Sequence, residues 1–171
     1  MNSSIEDQFL KDLNQNIGIV HRVCNTYFFY DSEEREDLLQ EIMYQLWKSY
    51  PQFSGASKFS TWMYKVALNT AITHVRKNKR SPEKEKLTEQ AHQIADINPQ
   101  NNTEEKSKLL YAGIDTLSPF DKAIILLYLE ENSYVEIASI TGLTKSNVSV
   151  RLVRIKKALE QKLKNNFSKI N

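Results

Sequence analysis

The sequence predicts an all-α protein made of two small helical domains joined by a flexible linker. Three observations predict it. The 171 residues include only 4 Gly and 4 Pro, too few turn formers for an all-β fold of many tight turns. Apolar residues recur at helical spacing in two separate blocks. Between the blocks, residues 81–107 hold Pro82, Pro99, several Asn, Gln and Glu, and few large apolar side chains, so that stretch buries too little surface to offset its ordering entropy. The length fits one domain of about 150 residues or two small ones.

The first block, residues 1–80, reads as three helical stretches. Ile5, Phe9, Leu13 and Ile17 share one face, and Ile19, Val23 and Tyr27 continue a second stripe. Leu38, Leu39, Ile42, Met43, Leu46, Trp47 and Tyr50 give an amphipathic helix over 37–50. Acids at 33–37 suit its N-terminus, and Pro51 and Gly55 end it in a loop. Ser60 is expected to cap a third helix, Thr61 to about Lys77. In the linker a weak helix over 83–94 is the most that is expected.

The second block, residues 108–171, is also helical. A segment runs from Leu109 to about Thr116. Ser118-Pro119 fits an N-cap with Pro at the first helical position, opening a helix that carries Ile124 to Leu129. Ser133 and Glu136 form a capping box for a short helix, Tyr134 to Ile140. Gly142 permits a sharp turn, and Thr144 caps a final helix, Lys145 to Lys164.

Charge is segregated. The net is +2, which taken alone argues against a strongly basic nucleic-acid binder. Residues 1–80 carry +1, residues 81–108 carry −2 and residues 109–171 carry +3. Acids gather at 31–41, interrupted by Arg35, whereas Lys58, Lys65, Arg76, Lys77, Lys79 and Arg80 follow with no acid among them. A single cysteine, Cys24, excludes an intramolecular disulfide or a cysteine-based zinc site and suits a reduced, cytoplasmic setting. Its apolar neighbours point to a packing role. His21, His74 and His92 show no metal-ligand spacing, no Gly-rich phosphate loop is present, and no cofactor is expected. The polar start lacks the pattern of a signal peptide, and the longest apolar run, 123–129, is too short to insert in a membrane.

Three constellations remain. Ala138, Gly142 and Val148 fall at the small, turn and buried positions of a helix-turn-helix. Such a motif exposes the start of its second helix to a major groove: here Lys145, Ser146, Asn147, Ser149 and Val150, with Arg151 and Arg154 onward. The same spacing also fits a hairpin that serves only as core. Phe53, Phe59, Trp62 and Tyr64 lie beside Lys58, Lys65, Asn69, Arg76 and Lys77, aromatics and cations that suit unpaired bases or, equally, a helix core. The outer face of 37–50 offers Gln40, Glu41, Tyr44, Gln45 and Lys48, a docking face for a protein or a solvated surface.

The run Asp37-Leu-Leu-Gln-Glu-Ile-Met-Tyr-Gln-Leu-Trp47, then Phe53-Ser-Gly, then Phe59-Ser-Thr-Trp-Met-Tyr-Lys-Val-Ala-Leu-Asn69 and Arg76-Lys77 resembles region two of bacterial RNA polymerase sigma factors. It is most similar to the extracytoplasmic-function (ECF) group of the sigma-70 family. The run Asp115-Thr-Leu-Ser-Pro119, then Ser133-Tyr-Val-Glu-Ile-Ala138, Gly142, Val148, Arg151-Leu, Arg154 and Lys157-Ala-Leu159 resembles region four of the same group. Together they cover about residues 5–80 and 109–163.

The resemblance implies a promoter-specificity subunit and not an enzyme by itself. It implies that Asp37, Gln40, Glu41, Tyr44, Gln45 and Lys48 dock on the β′ clamp helices of core RNA polymerase, with the β flap as a further contact. It implies that Phe53, Ser57, Lys58, Trp62, Tyr64, Lys65, Asn69, Arg76 and Lys77 open the promoter −10 element and hold a flipped base. Thr144, Lys145, Ser146, Asn147, Ser149, Val150, Arg151, Arg154 and Lys157 would read the −35 element. The linker would thread the polymerase channel, and an anti-sigma factor is an implied partner. Two departures stand out. Members often carry a basic residue and then Ser directly after the recognition-helix valine, where this chain has Ser149 and Val150. Arg35 interrupts the acidic run. A stand-alone helix-turn-helix regulator would explain 133–164 but leave 37–80 unexplained, and a purely structural bundle predicts no salt-dependent DNA association.

Overall fold

A computed structural model describes residues 3–79 and 102–168. Among them are seven α-helices and no strand: α1 (Ser3–Tyr27), α2 (Ser32–Ser49), α3 (Phe59–Lys79), α4 (Asn102–Asp115), α5 (Pro119–Leu129), α6 (Tyr134–Thr141) and α7 (Lys145–Ser168). A 3-10 turn, Tyr50–Gln52, follows α2. The chain divides into two compact units, Met1–His74 and Val75–Asn171.

In the first unit α1 packs against α2. Val20, Val23 and Cys24 of α1, Leu38, Ile42 and Leu46 of α2, and Met63, Ala67 and Ala71 of α3 are fully buried. The first apolar stripe is only half used: Phe9 and Leu13 are buried, whereas Ile5 is exposed. α2 starts five residues before Asp37, because Asp31 caps it by accepting from the Glu34 N–H at 3.0 Å. α3 starts at Phe59, so Ser60 lies inside the first turn and does not cap it.

The 3-10 turn is held by aromatic rings. Tyr50 packs edge-on against Phe9 at 4.9 Å and Phe9 against Trp47 at 5.1 Å between centroids. The Tyr50 hydroxyl donates to Asp12 Oδ2 at 3.3 Å. Partial burial, and then the neighbouring carboxylate, raise that hydroxyl's pKa above its ordinary value. At the other end of the unit, His74 Nε2 lies 3.0 Å from Glu34 Oε2, tying α3 to the first turn of α2.

In the second unit α7 packs on α4, α5 and α6. Val148, Leu152, Ile155 and Leu159 form its buried stripe, and Ile124, Leu127, Ile137 and Ile140 are buried on α5 and α6. Gly113 of α4 sits against α7, where an added Cβ would lie 3.2 Å from Leu159 Cδ2. α4 begins at Asn102, seven residues before the expected start and inside the stretch expected to be linker. Residues 83–94, where a weak helix is expected, lie outside the described residues.

The caps of this unit follow the sequence closely. Ser118 accepts from the Asp121 N–H at 3.1 Å. Ser133 and Glu136 complete a reciprocal capping box. Gly142 ends α6 at φ 77°, a left-handed conformation natural for glycine. Thr144 accepts from the Asn147 N–H at 3.2 Å and opens α7.

Candidate nucleic-acid interface

The α6–Gly142–α7 corner is a helix-turn-helix. Its geometry follows from the caps and from the buried Val148, which pins the first turn of α7 against the unit. With one side of α7 fixed to the core, the opposite side faces solvent. Thr144, Lys145, Ser146, Asn147, Val150, Arg154 and Lys157 are all exposed, and Ser149 is half-buried. The short side chains at 146 and 147 leave the start of the helix slim enough to approach a groove floor, and the flanking cations suit phosphates.

Arg151 is placed differently from its expected companions. Its Nη1 donates to Asp121 Oδ1 at 2.9 Å, and the guanidinium lies 5.1 Å from the Phe120 ring centroid. Arg151 therefore leans on the first turn of α5 at the flank of the exposed face. Lys156 is similarly engaged, with Nζ 3.9 Å from the Tyr128 ring centroid. Val153 is also exposed on α7. Position 153 falls off the 148–152–155–159 stripe, yet is apolar.

In the first unit, Phe53 stacks loosely on Tyr50 at 6.3 Å and meets Phe59 at 5.7 Å and Trp62 at 5.2 Å. The three rings at 53, 59 and 62 are half-buried. They sit on either side of the exposed loop 54–58, which carries Ser57 and Lys58. On α3, Lys65 and Asn69 follow Trp62 at three- and seven-residue spacing, so they share its face, and both are exposed. Arg76 and Lys77 are exposed on the last turns of the same helix. Tyr64 does not join them. It is 6% exposed, because position 64 falls on the inward face with Ala67, Leu68 and Ala71. Its ring is buried in the core of the unit.

The outer face of α2 presents Asp37, Gln40, Tyr44 and Lys48 to solvent, with Glu41 and Gln45 at its edge. Lys48 Nζ lies 5.7 Å from the Tyr44 ring centroid, and Gln45 Nε2 donates to Glu41 Oε1 at 2.9 Å. Arg35 is turned the other way. Its Nη1 donates to the Phe28 and Phe29 carbonyls at 3.2 and 2.8 Å, so the cation closes the end of α1 and stays out of the acidic face. Among the described residues no cluster of three His, Cys, Asp or Glu is placed to hold a metal ion. No described helix is long and apolar enough to cross a membrane.

Residues 13–81 match the family description Sigma-70 region 2, and residues 107–159 match Sigma-70, region 4. The chain is 30% identical over 156 residues to the ECF RNA polymerase sigma-E factor of Escherichia coli strain K12, covering 84% of this chain and 81% of that one. This chain is an ECF-type sigma factor of the sigma-70 family. It is therefore a transcription-initiation factor and not an enzyme. It is also 30% identical over 138 residues to the ECF sigma-E factor of Haemophilus influenzae, covering 74% and 73% of the two chains. With the sigma-H factor of Pseudomonas aeruginosa it shares 26% identity over 165 residues, covering 90% and 83%. A solved structure of the sigma factor RpoE in complex with the anti-sigma factor NepR from Bartonella quintana shares the fold. Its TM-score is 0.69 at 18% identity, covering 92% of this sigma factor and 97% of that chain.

Proposed function

We propose that this sigma factor binds core RNA polymerase and directs initiation at promoters by recognising and melting the −10 element and reading the −35 element. The observation that carries the reading is the exposed, basic side of α7, held outward by the buried stripe from Val148 to Leu159. The aromatic cluster around loop 54–58 supports the other half. Rings that already pack against one another form a firm wall against which an extruded base can stack.

The roles divide between the two domains proposed from the sequence. The α2 face from Asp37 to Lys48 docks on the β′ clamp helices, and the second unit meets the β flap. Phe53, Ser57, Lys58, Trp62, Lys65, Asn69, Arg76 and Lys77 take the −10 strand. Thr144 to Lys157 take the −35 duplex, with Arg154 and Lys157 as its principal cations and Arg151 steadying the helix. Residues 1–80 and 108–171 act as the two domains and 81–107 as the linker through the polymerase channel. The work takes place in the cytoplasm, with core polymerase and promoter DNA as partners. An anti-sigma factor covering both DNA-binding faces is the regulatory partner this arrangement invites.

Permanganate probing of unpaired thymines tests the reading. Assembled with bacterial core polymerase on its promoter, the chain should make thymines of the −10 element reactive. Specific duplex binding without core, and no strand opening with it, would instead identify a stand-alone helix-turn-helix regulator.

A further inference from the structure

Two valines occupy the solvent side of α7. Val150 is 51% exposed and Val153 is 65% exposed. On a helix of 100° per residue, Val150 lies directly opposite the buried stripe of Val148, Leu152, Ile155 and Leu159, with Val153 beside it. A β-branched residue is a poor choice for a solvated helix position, where longer polar side chains favour the helix and interact with water. Two such residues at the centre of a basic face form an apolar patch that awaits a cover.

The surroundings decide what covers it. Arg154 and Lys157 are exposed on the same face, which suits an anionic partner. Arg151 is drawn aside by Asp121 at 2.9 Å, so it does not overhang the valines. Neither valine can donate or accept a hydrogen bond. In a duplex major groove the apolar feature is the C5-methyl of thymine.

We propose that Val150 and Val153 select thymine by contact with its methyl group at adjacent positions of the upstream promoter duplex. The inference rests on the reading of α7 as the helix that enters this duplex. Cytosine at the same position would set its amino donor against a valine and leave it without a partner.

The experiment uses the full chain assembled with bacterial core polymerase. An upstream element is first selected from a random duplex library. Each thymine in it is then replaced by deoxyuridine, which lacks only the methyl. At two neighbouring positions the swap should weaken binding about fourfold each, the value of one buried methyl. In the V150A/V153A variant, which exchanges valine for a better helix former, thymine and deoxyuridine templates should bind alike. Undiminished wild-type binding to every deoxyuridine template overturns the proposal while leaving duplex reading intact. Failure of the library to yield any upstream element overturns the duplex reading itself, before any base is modified. If the valine variant instead loses core binding or self-association with its thymine preference unchanged, the patch belongs to a protein partner and the proposal fails.

Discussion

Arg151 reaches back from α7 to the first turn of α5, where its guanidinium pairs with Asp121 at 2.9 Å. The two side chains are 43% and 27% exposed, so the pair is partly screened by solvent. It braces α7 against the bundle and takes one cation out of that helix's exposed face.

Arg151→Ala and Arg154→Ala should therefore behave differently. Losing a partly exposed pair costs about 0.2–1 kcal/mol of stability, and the salt dependence of promoter binding should be unchanged. Arg154→Ala should leave stability alone and weaken promoter binding by about 1–3 kcal/mol if the side chain reads a base, or lower the salt slope by about 1 if it holds a phosphate. Binding measured across a salt series separates the two. Equal losses for both variants would return Arg151 to the DNA face.

Arg35 closes the end of α1 through two carbonyls, at 3.2 and 2.8 Å. Hydrogen bonds from a charged donor contribute about 1.5–3 kcal/mol. Arg35→Ala should lower stability in urea denaturation by an amount in that range, and Arg35→Lys, which keeps the charge without the planar fork, should recover only part of it. Unchanged stability would mean the cation serves the acidic surface instead.

Glu41→Lys reverses a charge at the edge of the α2 face. Its carboxylate accepts from Gln45 on the same helix, at 2.9 Å. Folding stability should stay within about 0.5 kcal/mol, while affinity for core polymerase falls. A variant that unfolds would make Glu41 structural; one that binds core normally would move the docking face elsewhere.

Burial pushes the Cys24 thiol up from an ordinary 9.0 to about 12. Burial drives the Tyr27 hydroxyl in the same direction. Above about pH 9 the unfolded chain releases the thiol proton and the folded chain keeps it. Stability is thus full below pH 9 and is lost as pH rises towards 12. Equilibrium unfolding at pH 8 and pH 10.5 checks the sign. At neutral pH Cys24 should resist thiol reagents until the chain is denatured.

Much of this was legible in the sequence, for local reasons. The second unit's caps at Ser118, Ser133 and Thr144, and the turn at Gly142, depend on residues within four positions of one another. The apolar pattern of α2 located its buried positions, Leu38, Ile42 and Leu46. What escaped depended on contacts between elements. Tyr64 was placed with the other aromatics because composition does not reveal which side of α3 turns inward. Arg35 interrupts the acidic run in the sequence, and the reason is not local to α2: its acceptors sit six and seven residues back, beyond the helix. Arg151 was grouped with Arg154, since only the folded bundle brings Asp121 to it. The early start of α4 was hidden by the polar residues Asn102 to Lys108, whose helix carries just one buried apolar position, Leu109, in its first two turns.

The +2 net charge hides its own meaning for a similar reason. Acids cap and line α2, and cations gather on α3 and α7. Under the proposed function, in which DNA is met as part of a larger enzyme, a strongly basic total is not needed.

Run-off transcription with bacterial core polymerase on a promoter library tests the central claim most directly. The account predicts transcripts that require the chain and begin at a fixed distance downstream of a shared two-part element. No association with core, and no transcript beyond those of core alone, would contradict it.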